Sequence, residues 1–348
     1  MNRLFPALVL SVTCSMADVF TVTAEHASSV TLESGEQVLE LQGNVQVTDD
    51  QVTVASDSAK VYQQSEKAEF YGNVQAESDT LSAEGRFLSY SRLTGVMVLS
   101  GNAVLTDGNS ILTADQVDWF RFRDKATAKG SVVLQGDWLG NVAGEYALYD
   151  RERGSLFVTV DPVLTRVEEN DTTVITADRL EFFQDGERAE AQGNAVVSMS
   201  ERDVTASSEY LRYYGEEERM ELIGSPVINA EDGQLFGDWM EGLTGSDGGL
   251  EFLRIEGAAS GHMEQDSTLV DFNSQRAEFA FTGSGDLDSL LLQGSAVLNI
   301  FGEDSVRTEA NTIHAENITI LFSDGEAEQV KASGTVRGTY SWTGEMRD

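Results

Sequence analysis

The sequence has one cysteine, Cys14, and none in residues 15–348. That absence excludes a disulfide framework, a thiolate metal site and a cysteine nucleophile from nearly the whole chain. Proline is almost as scarce, with 3 among 348 residues, so extended strands can run without losing ladder donors. The three histidines, His26, His262 and His314, stand far apart and share no metal-ligand spacing, which leaves them ordinary structural or surface roles. Basic residues are few: 23 Lys and Arg face 59 Asp and Glu, for a formal net charge of −36. No clustered cationic surface of the kind that neutralises phosphates is in prospect, so nucleic acid is excluded as a partner.

Long apolar runs are also missing. The longest, Leu4 to Thr13 after Arg3, is about half the ~20 residues that a membrane-spanning helix needs. With Ser15-Met16-Ala17 behind it, it is expected to be a secretory signal, residues 1–17, cleaved after Ala17. A lipoprotein signal ending at Cys14 is the alternative, although Thr13 stands where Gly or Ala is usual. Loss of Arg3 takes the net charge to −36 − 1 = −37, a solvated acidic surface that keeps molecules apart.

What the sequence does have is glycine, 32 of them, and a repeat. The pattern apolar-x-apolar-x-Gly-x-apolar-x-apolar begins with Leu39, Leu41, Gly43, Val45, Val47 and recurs with Ala68, Phe70, Gly72, Val74, Ala76. Further centres are Gly101, Gly130, Gly193, Gly224, Gly257, Gly294 and Gly334, and in Leu156-x-Val158-x-Val160-x-Pro162-x-Leu164 the glycine place is taken by Val160. Ten centres follow one another at 29, 29, 29, 30, 33, 31, 33, 37 and 40 residues, strict at first and looser later. Alternation of this kind predicts strands with one buried face. A glycine on that face at mid-strand predicts a bend or a close approach. Unbroken alternation on both sides of Gly43-Asn44, Gly72-Asn73, Gly101-Asn102 and Gly193-Asn194 places these pairs inside strands, not in hairpins.

A second strand follows each centre. Positions +14, +16 and +18 are Asp57, Ala59, Val61 in the first repeat and Asp115, Val117, Trp119 in the third, while Ala83-Glu84, Ala177-Asp178 and Ala315-Glu316 open similar stretches. Turn sequences such as Asp107-Gly108-Asn109 and Glu231-Asp232-Gly233 lie between them. Ten two-strand repeats predict about twenty antiparallel strands in an all-β array over residues 18–348. A change of spacing near residues 161–175 allows two lobes there. No repeat can bury its apolar face alone, so neighbours must stack.

Repeated Gly-Asn-Val and Gly-Asn-Ala centres, each followed by a strand opening with Ala-Asp or Ala-Glu, resemble the LptA/OstA family, whose relatives include LptC and the N-terminal domain of LptD. The resemblance covers roughly residues 30–340 and is best between Gly43 and Val132. It implies an elongated periplasmic β-jellyroll, open along one side, whose apolar interior carries the acyl chains of lipopolysaccharide on a bridge to the outer membrane. It also implies partners of the same kind joined end to end by strand addition, with self-association as the other form. The inward-facing candidates for lipid contact are Leu41, Val45, Phe70, Val74, Leu99, Leu105, Val132 and Leu134, with Val61, Tyr90 and Trp119 from the second strands. A closed β core would use the same residues, and an acidic β-solenoid scaffold without cargo is the competing function.

Nothing in the pattern points to bond chemistry. A Gly-x-Ser-x-Gly elbow and a phosphate-binding glycine loop are absent, and Gly283-Ser284-Gly285 falls short of the former. Asp-Gly turns lack both EF-hand and Ca²⁺-repeat spacing and are expected to be plain hairpin turns. No cofactor or metal is expected, and the protein is not expected to be an enzyme.

Overall fold

The computed structural model describes residues 21–48, 52–136, 140–168, 171–183, 188–200, 203–245, 249–265, 268–283, 285–303, 307–323 and 326–344. The expected signal segment and Cys14 lie outside them. Twenty-six strands are described: β1 (Thr21–Thr23), β2 (His26–Thr31), β3 (Gln37–Thr48), β4 (Val52–Tyr62), β5 (Lys67–Ser78), β6 (Ser82–Ser91), β7 (Val96–Thr106), β8 (Ser110–Phe120), β9 (Lys125–Gly136), β10 (Gly140–Asp150), β11 (Ser155–Thr159), β12 (Val163–Glu168) and β13 (Asp171–Thr176) form the first thirteen. The rest are β14 (Arg179–Phe183), β15 (Arg188–Met199), β16 (Val204–Tyr214), β17 (Arg219–Ile223), β18 (Val227–Ala230), β19 (Gly233–Phe236), β20 (Trp239–Thr244), β21 (Leu250–Gln265), β22 (Thr268–Phe281), β23 (Leu287–Glu303), β24 (Arg307–Ser323), β25 (Glu326–Ser333) and β26 (Arg337–Gly344). Six pairs (β1/β2, β11/β12, β13/β14, β17/β18, β19/β20 and β25/β26) are single rungs interrupted at mid-length, so the described residues form 26 − 6 = 20 rungs, where ten two-strand repeats predict about twenty strands. The fold is an all-antiparallel repeat β-jellyroll.

Each rung bends at its middle, and the repeat glycine is where it does so. Gly43 has φ +81° and Asn44 +46°, and the pairing jumps from Gln42↔Ser58 to Val45↔Ser56, so two residues of β3 oppose only Asp57 of β4. This is a β-bulge, which sharpens the twist and turns the strand without ending it. Positive φ recurs at all ten centres, Val160 included.

The buried-face placement of these glycines needs correction. A Cβ on Gly72 would come 2.2 Å from the exposed Asp57 carboxylate, one on Gly130 would meet Asp115 and one on Gly193 would meet Asp178. The glycine therefore makes room on the exposed side of the bend for a carboxylate of the neighbouring strand. That carboxylate accepts a hydrogen bond from the next side chain, as Asn73 Nδ2 donates to Asp57 at 3.0 Å. In the Gly101 repeat the place is held by Arg86, whose side chain packs over Gly101, so Ala83-Glu84 lies two residues out of phase with this clasp.

The inner side of the bend takes small residues, because the two halves of a rung converge there. The residue before each clasp is Ala24, Ser56, Gly85, Ala114, Gly144, Ala177, Ser208, Gly237, Ser274 or Ala315. A Cβ on Gly144 would lie 2.6 Å from Val158 Cγ1, and one on Gly237 would lie 2.4 Å from Ile255 Cγ2.

The described residues divide into two compact units, the first running to Arg166 and taking in Arg179–Phe183, the second made of Val167–Asp178 and the residues from Arg188 on. In the first, β11 pairs with β14 and β10 with β12; in the second, β13 pairs with β15. The second unit carries on its outer face a cross-strand file Glu190, Arg212, Glu221, Glu241, Arg254, Glu278, in which Arg254 reaches both Glu241 and Glu278 at 3.3 Å.

Candidate ligand-binding interior

Strand register brings the apolar positions of the first unit into continuous files. Leu41 faces Ala59, which faces Phe70, and the file continues through Leu88, Leu99, Val117, Ala128, Ala147 and Val158 to Leu180. All ten are apolar and at most 5% exposed. At ~4.8 Å per strand such a file runs roughly 45 Å across the sheet. A second file, two residues nearer the strand ends, passes from Leu39 and Val61 through Ala68, Tyr90, Met97, Trp119, Ala126, Tyr149 and Leu156 to Phe182. Beyond the bend, a third joins Ala83, Leu105, Leu112, Leu134 and Val142.

A small apolar pocket, with about 20 Å³ of room for a water-sized molecule, opens among these files. Its lining includes Val117, Ala128 and Ala147 from one side of the bend and Leu112, Val132 and Leu134 from the other, so the two halves of the rungs face each other across it. Each bulge thus makes two walls from one sheet.

Of the eleven residues singled out in the sequence, Leu41, Phe70 and Leu99 stand on the first file, and Val61, Tyr90 and Trp119 on the second. Leu105 and Leu134 stand on the third, and Val45, Val74 and Val132 immediately beyond the bulges. Ten are buried and Val61 is half-buried. Only Val132 and Leu134 of the eleven line the pocket. Sequence reasoning missed Ala128, Ala147, Tyr149, Leu156 and Val158, which face it too. Their strands keep the alternation, so the phase of the fourth and fifth repeats was the available signal.

Buried polar atoms without a hydrogen-bond partner break the apolar pattern at three residues, Trp119, Tyr149 and the pocket-lining Thr127. Tyr149 is 2% exposed and Trp119 3%, yet neither Tyr149 Oη nor Trp119 Nε1 has a hydrogen-bond partner. A buried donor left without an acceptor costs about 1–3 kcal/mol. Burial pushes the Tyr149 phenol above its ordinary pKa, so it stays a protonated donor. Arg151, Asp124 and Asp150 all act electrostatically on it.

In the second unit the corresponding file runs from Ala191 through Leu211, Leu222, Met240, Ile255, Ala277 and Leu292 to Ile318. Phe272 and Phe279, on opposite sides of a bend, meet edge to face with ring centroids 5.9 Å apart. Among the described residues no group of three or more His, Cys, Asp or Glu could hold a metal ion, and no helix is long and apolar enough to cross a membrane.

Fold and interior together define a repeat β-jellyroll with an apolar inner face. Residues 19–159 match the family of OstA-like proteins, and residues 168–244 match the family of LptA/(LptD N-terminal domain) LPS transport proteins. The chain belongs to this LptA/OstA-like family. Among solved structures it is similar to LptH, the LptA homologous periplasmic component of the conserved lipopolysaccharide transport device from Pseudomonas aeruginosa. The two share 16% identity over 38% of this chain and 74% of that one, with a TM-score of 0.19. No curated protein matches.

Proposed function

We propose that the protein is a periplasmic carrier of lipopolysaccharide that shields acyl chains between the two walls of its first unit. The observation that carries this reading is the ten-strand apolar file from Leu41 to Leu180, flanked by a pocket with no charged lining residue. Each buried methylene of an acyl chain contributes about 0.8 kcal/mol, so a chain of roughly ten methylenes gains ~8 kcal/mol before ordering costs. Nothing in this role requires a bond to be made or broken. Export by the amino-terminal signal belongs to the same proposal.

The terminal rungs support end-to-end assembly with related jellyroll proteins or a second copy. Among the described residues, β1 and β2 pair only with β3, and β25 and β26 only with β24. Rows of unpaired backbone groups at such edges are templates for strand addition.

The test is native mass spectrometry of the purified protein with added lipopolysaccharide, in parallel with Ala128→Phe, which puts a ring into the pocket lining. The unmodified chain should retain lipid at a defined stoichiometry. Ala128→Phe should lose at least about tenfold in affinity while keeping its strand circular-dichroism signal. An unmodified chain that stays at its apo mass, where an established carrier binds, overturns the proposal. A cargo-free scaffold is the second reading; it is favoured by the 0% exposure of Phe272, Leu290, Leu292, Leu298 and Ile318 in the second unit, the close packing of an ordinary interior.

A further inference from the structure

The basic residues are few, but they are not scattered. The turns between β4 and β5, β6 and β7, β8 and β9, and β10 and β11 lie at the same ends of successive rungs. Each is hydrogen-bonded to the one before it: Arg92 N to Glu66 O at 3.0 Å, Arg121 N to Gly95 O at 2.8 Å and Arg151 N to Asp124 O at 2.9 Å. Residues 63–67, 92–95, 121–125 and 150–154 hold seven of the chain's 23 Lys and Arg but four of its 59 Asp and Glu, a local charge of 7 − 4 = +3 in a molecule of −36. At the opposite ends of the same strands the described turns carry Asp79 and Asp107 and no basic residue.

Arg92, Arg121 and Arg151 occupy one position of the repeat, so they recur every second strand, roughly 10 Å apart. Two residues before each stands an inward aromatic of the second file: Tyr90, Trp119 and Tyr149. The rim is thus layered, with the apolar interior deepest, then the unpartnered Trp119 and Tyr149 donors, then guanidinium groups at the surface. Leu93, 61% exposed, and Phe122, 68% exposed, sit among the arginines.

We propose that this rim of the first unit is the headgroup site for an anionic, phosphorylated acyl lipid. Arg121, Arg123, Arg151 and Arg153 face its phosphates, and Trp119 and Tyr149 donate to the carbonyls that join headgroup to chains. The inference rests on the carrier reading above. An amphiphile presents the same order of layers: apolar chains, then acceptor carbonyls, then charge. Guanidinium suits phosphate because its planar fork binds two oxygens at once. Tyr and Trp suit the junction because one end of each ring is apolar and the other a donor.

The rim's own ion pairs are open to exchange. Arg151 lies 3.7 Å from Asp124, with side chains 46% and 56% exposed. Lys125 is held by Asp150 at 2.9 Å and Arg92 by Glu66 at 2.6 Å, so these two brace the turns, while Arg123 lies over the Phe120 ring at 5.9 Å.

The test compares lipid A with its dephosphorylated form, at low and high salt, on the full chain, on the triple variant Arg121→Gln, Arg123→Gln, Arg153→Gln, and on Tyr149→Phe. The unmodified chain should prefer the phosphorylated lipid by about tenfold or more, with the preference shrinking as salt is added. In the triple variant, which keeps Arg151, the ratio should fall several-fold. Tyr149→Phe should weaken both lipids several-fold, since both keep their acyl carbonyls, while the ligand-free protein melts no lower than before. A folded triple variant that discriminates as well as the unmodified chain overturns the site. Equal binding of both lipids by the unmodified chain overturns it and leaves the carrier standing. Failure to bind either lipid overturns both. Arginine-dependent attachment to anionic phosphatidylglycerol vesicles without lipid discrimination overturns it in favour of a membrane surface.

Discussion

At the scale of the residue, the repeat depends on one unusual conformation, and the chain meets it with glycine at nine centres out of ten. The exception is informative. Val160 has φ +63° and Asp161 φ +53°, and the Val160 carbonyl still accepts from Glu145 N at 3.1 Å, so the bulge forms there despite a β-branched side chain. A β-branched residue in the left-handed region costs about 1–3 kcal/mol. Val160 is 54% exposed and loses little burial if shortened. Val160→Gly should therefore stabilise the protein by about 1 kcal/mol, the relief of strain outweighing the added freedom of the unfolded chain. Val160→Ala, which keeps a Cβ, should gain much less. Urea midpoints of the two variants check this, and equal midpoints would show that the bulge at Val160 stores no strain.

At the scale of the element, each rung is defined by three neighbouring needs at its bend: positive φ on one strand, an acid or long polar side chain against it, and a small residue on the inner side. The last need is steric. Gly144 lies where Val158 Cγ1 and the Thr159 carbonyl close in, at 2.6 and 3.3 Å from the place a Cβ would take. Gly144→Val should force the halves of β10 and β11 apart and cost about 1–3 kcal/mol, visible as a lower thermal midpoint. An unchanged midpoint would mean that the bend has room to spare. The alternating apolar residues and the turn sequences were legible in the sequence because a strand period of two and Asp-Gly reversals are local. The clasp was half legible: Ala177-Asp178 and Ala315-Glu316 marked it, but Gly85-Arg86 did not share their chemistry, so the pattern settled two residues early on Ala83-Glu84.

At the scale of the whole molecule, stability rests on burial and strand pairing within each unit, with pH acting through a few partnered groups. Burial pushes Glu69 up, but hydrogen bonds from Lys67, Tyr71 and Tyr62 outweigh it and hold the carboxyl below its ordinary range. Lys125, followed by the backbone of Arg153, does the same for Asp150. Both groups contribute stability that is present above the unfolded carboxylate range and lost as pH falls through their folded values. Burial and the Glu69 partner push Tyr62 and Tyr71 up, so their contribution is present below about pH 10 and lost as pH rises. The urea midpoint should be level through neutral pH and fall below about pH 4 and above about pH 10, and Glu69→Gln should make both limbs shallower. A midpoint independent of pH across that range would exclude these groups as determinants.

The sequence by itself determined the fold class, the number of rungs, the bend positions and the family, because each follows from a local period repeated ten times. It also marked the inward faces of the early repeats. Tertiary structure alone decided which residues meet. Register aligns Leu41 with Leu180 across ten strands, the bends turn one sheet into facing walls around a pocket, and stacked turns gather arginines 29 and 30 residues apart onto one rim. Those outcomes depend on pairing between strands, and spacing along one strand does not carry that information.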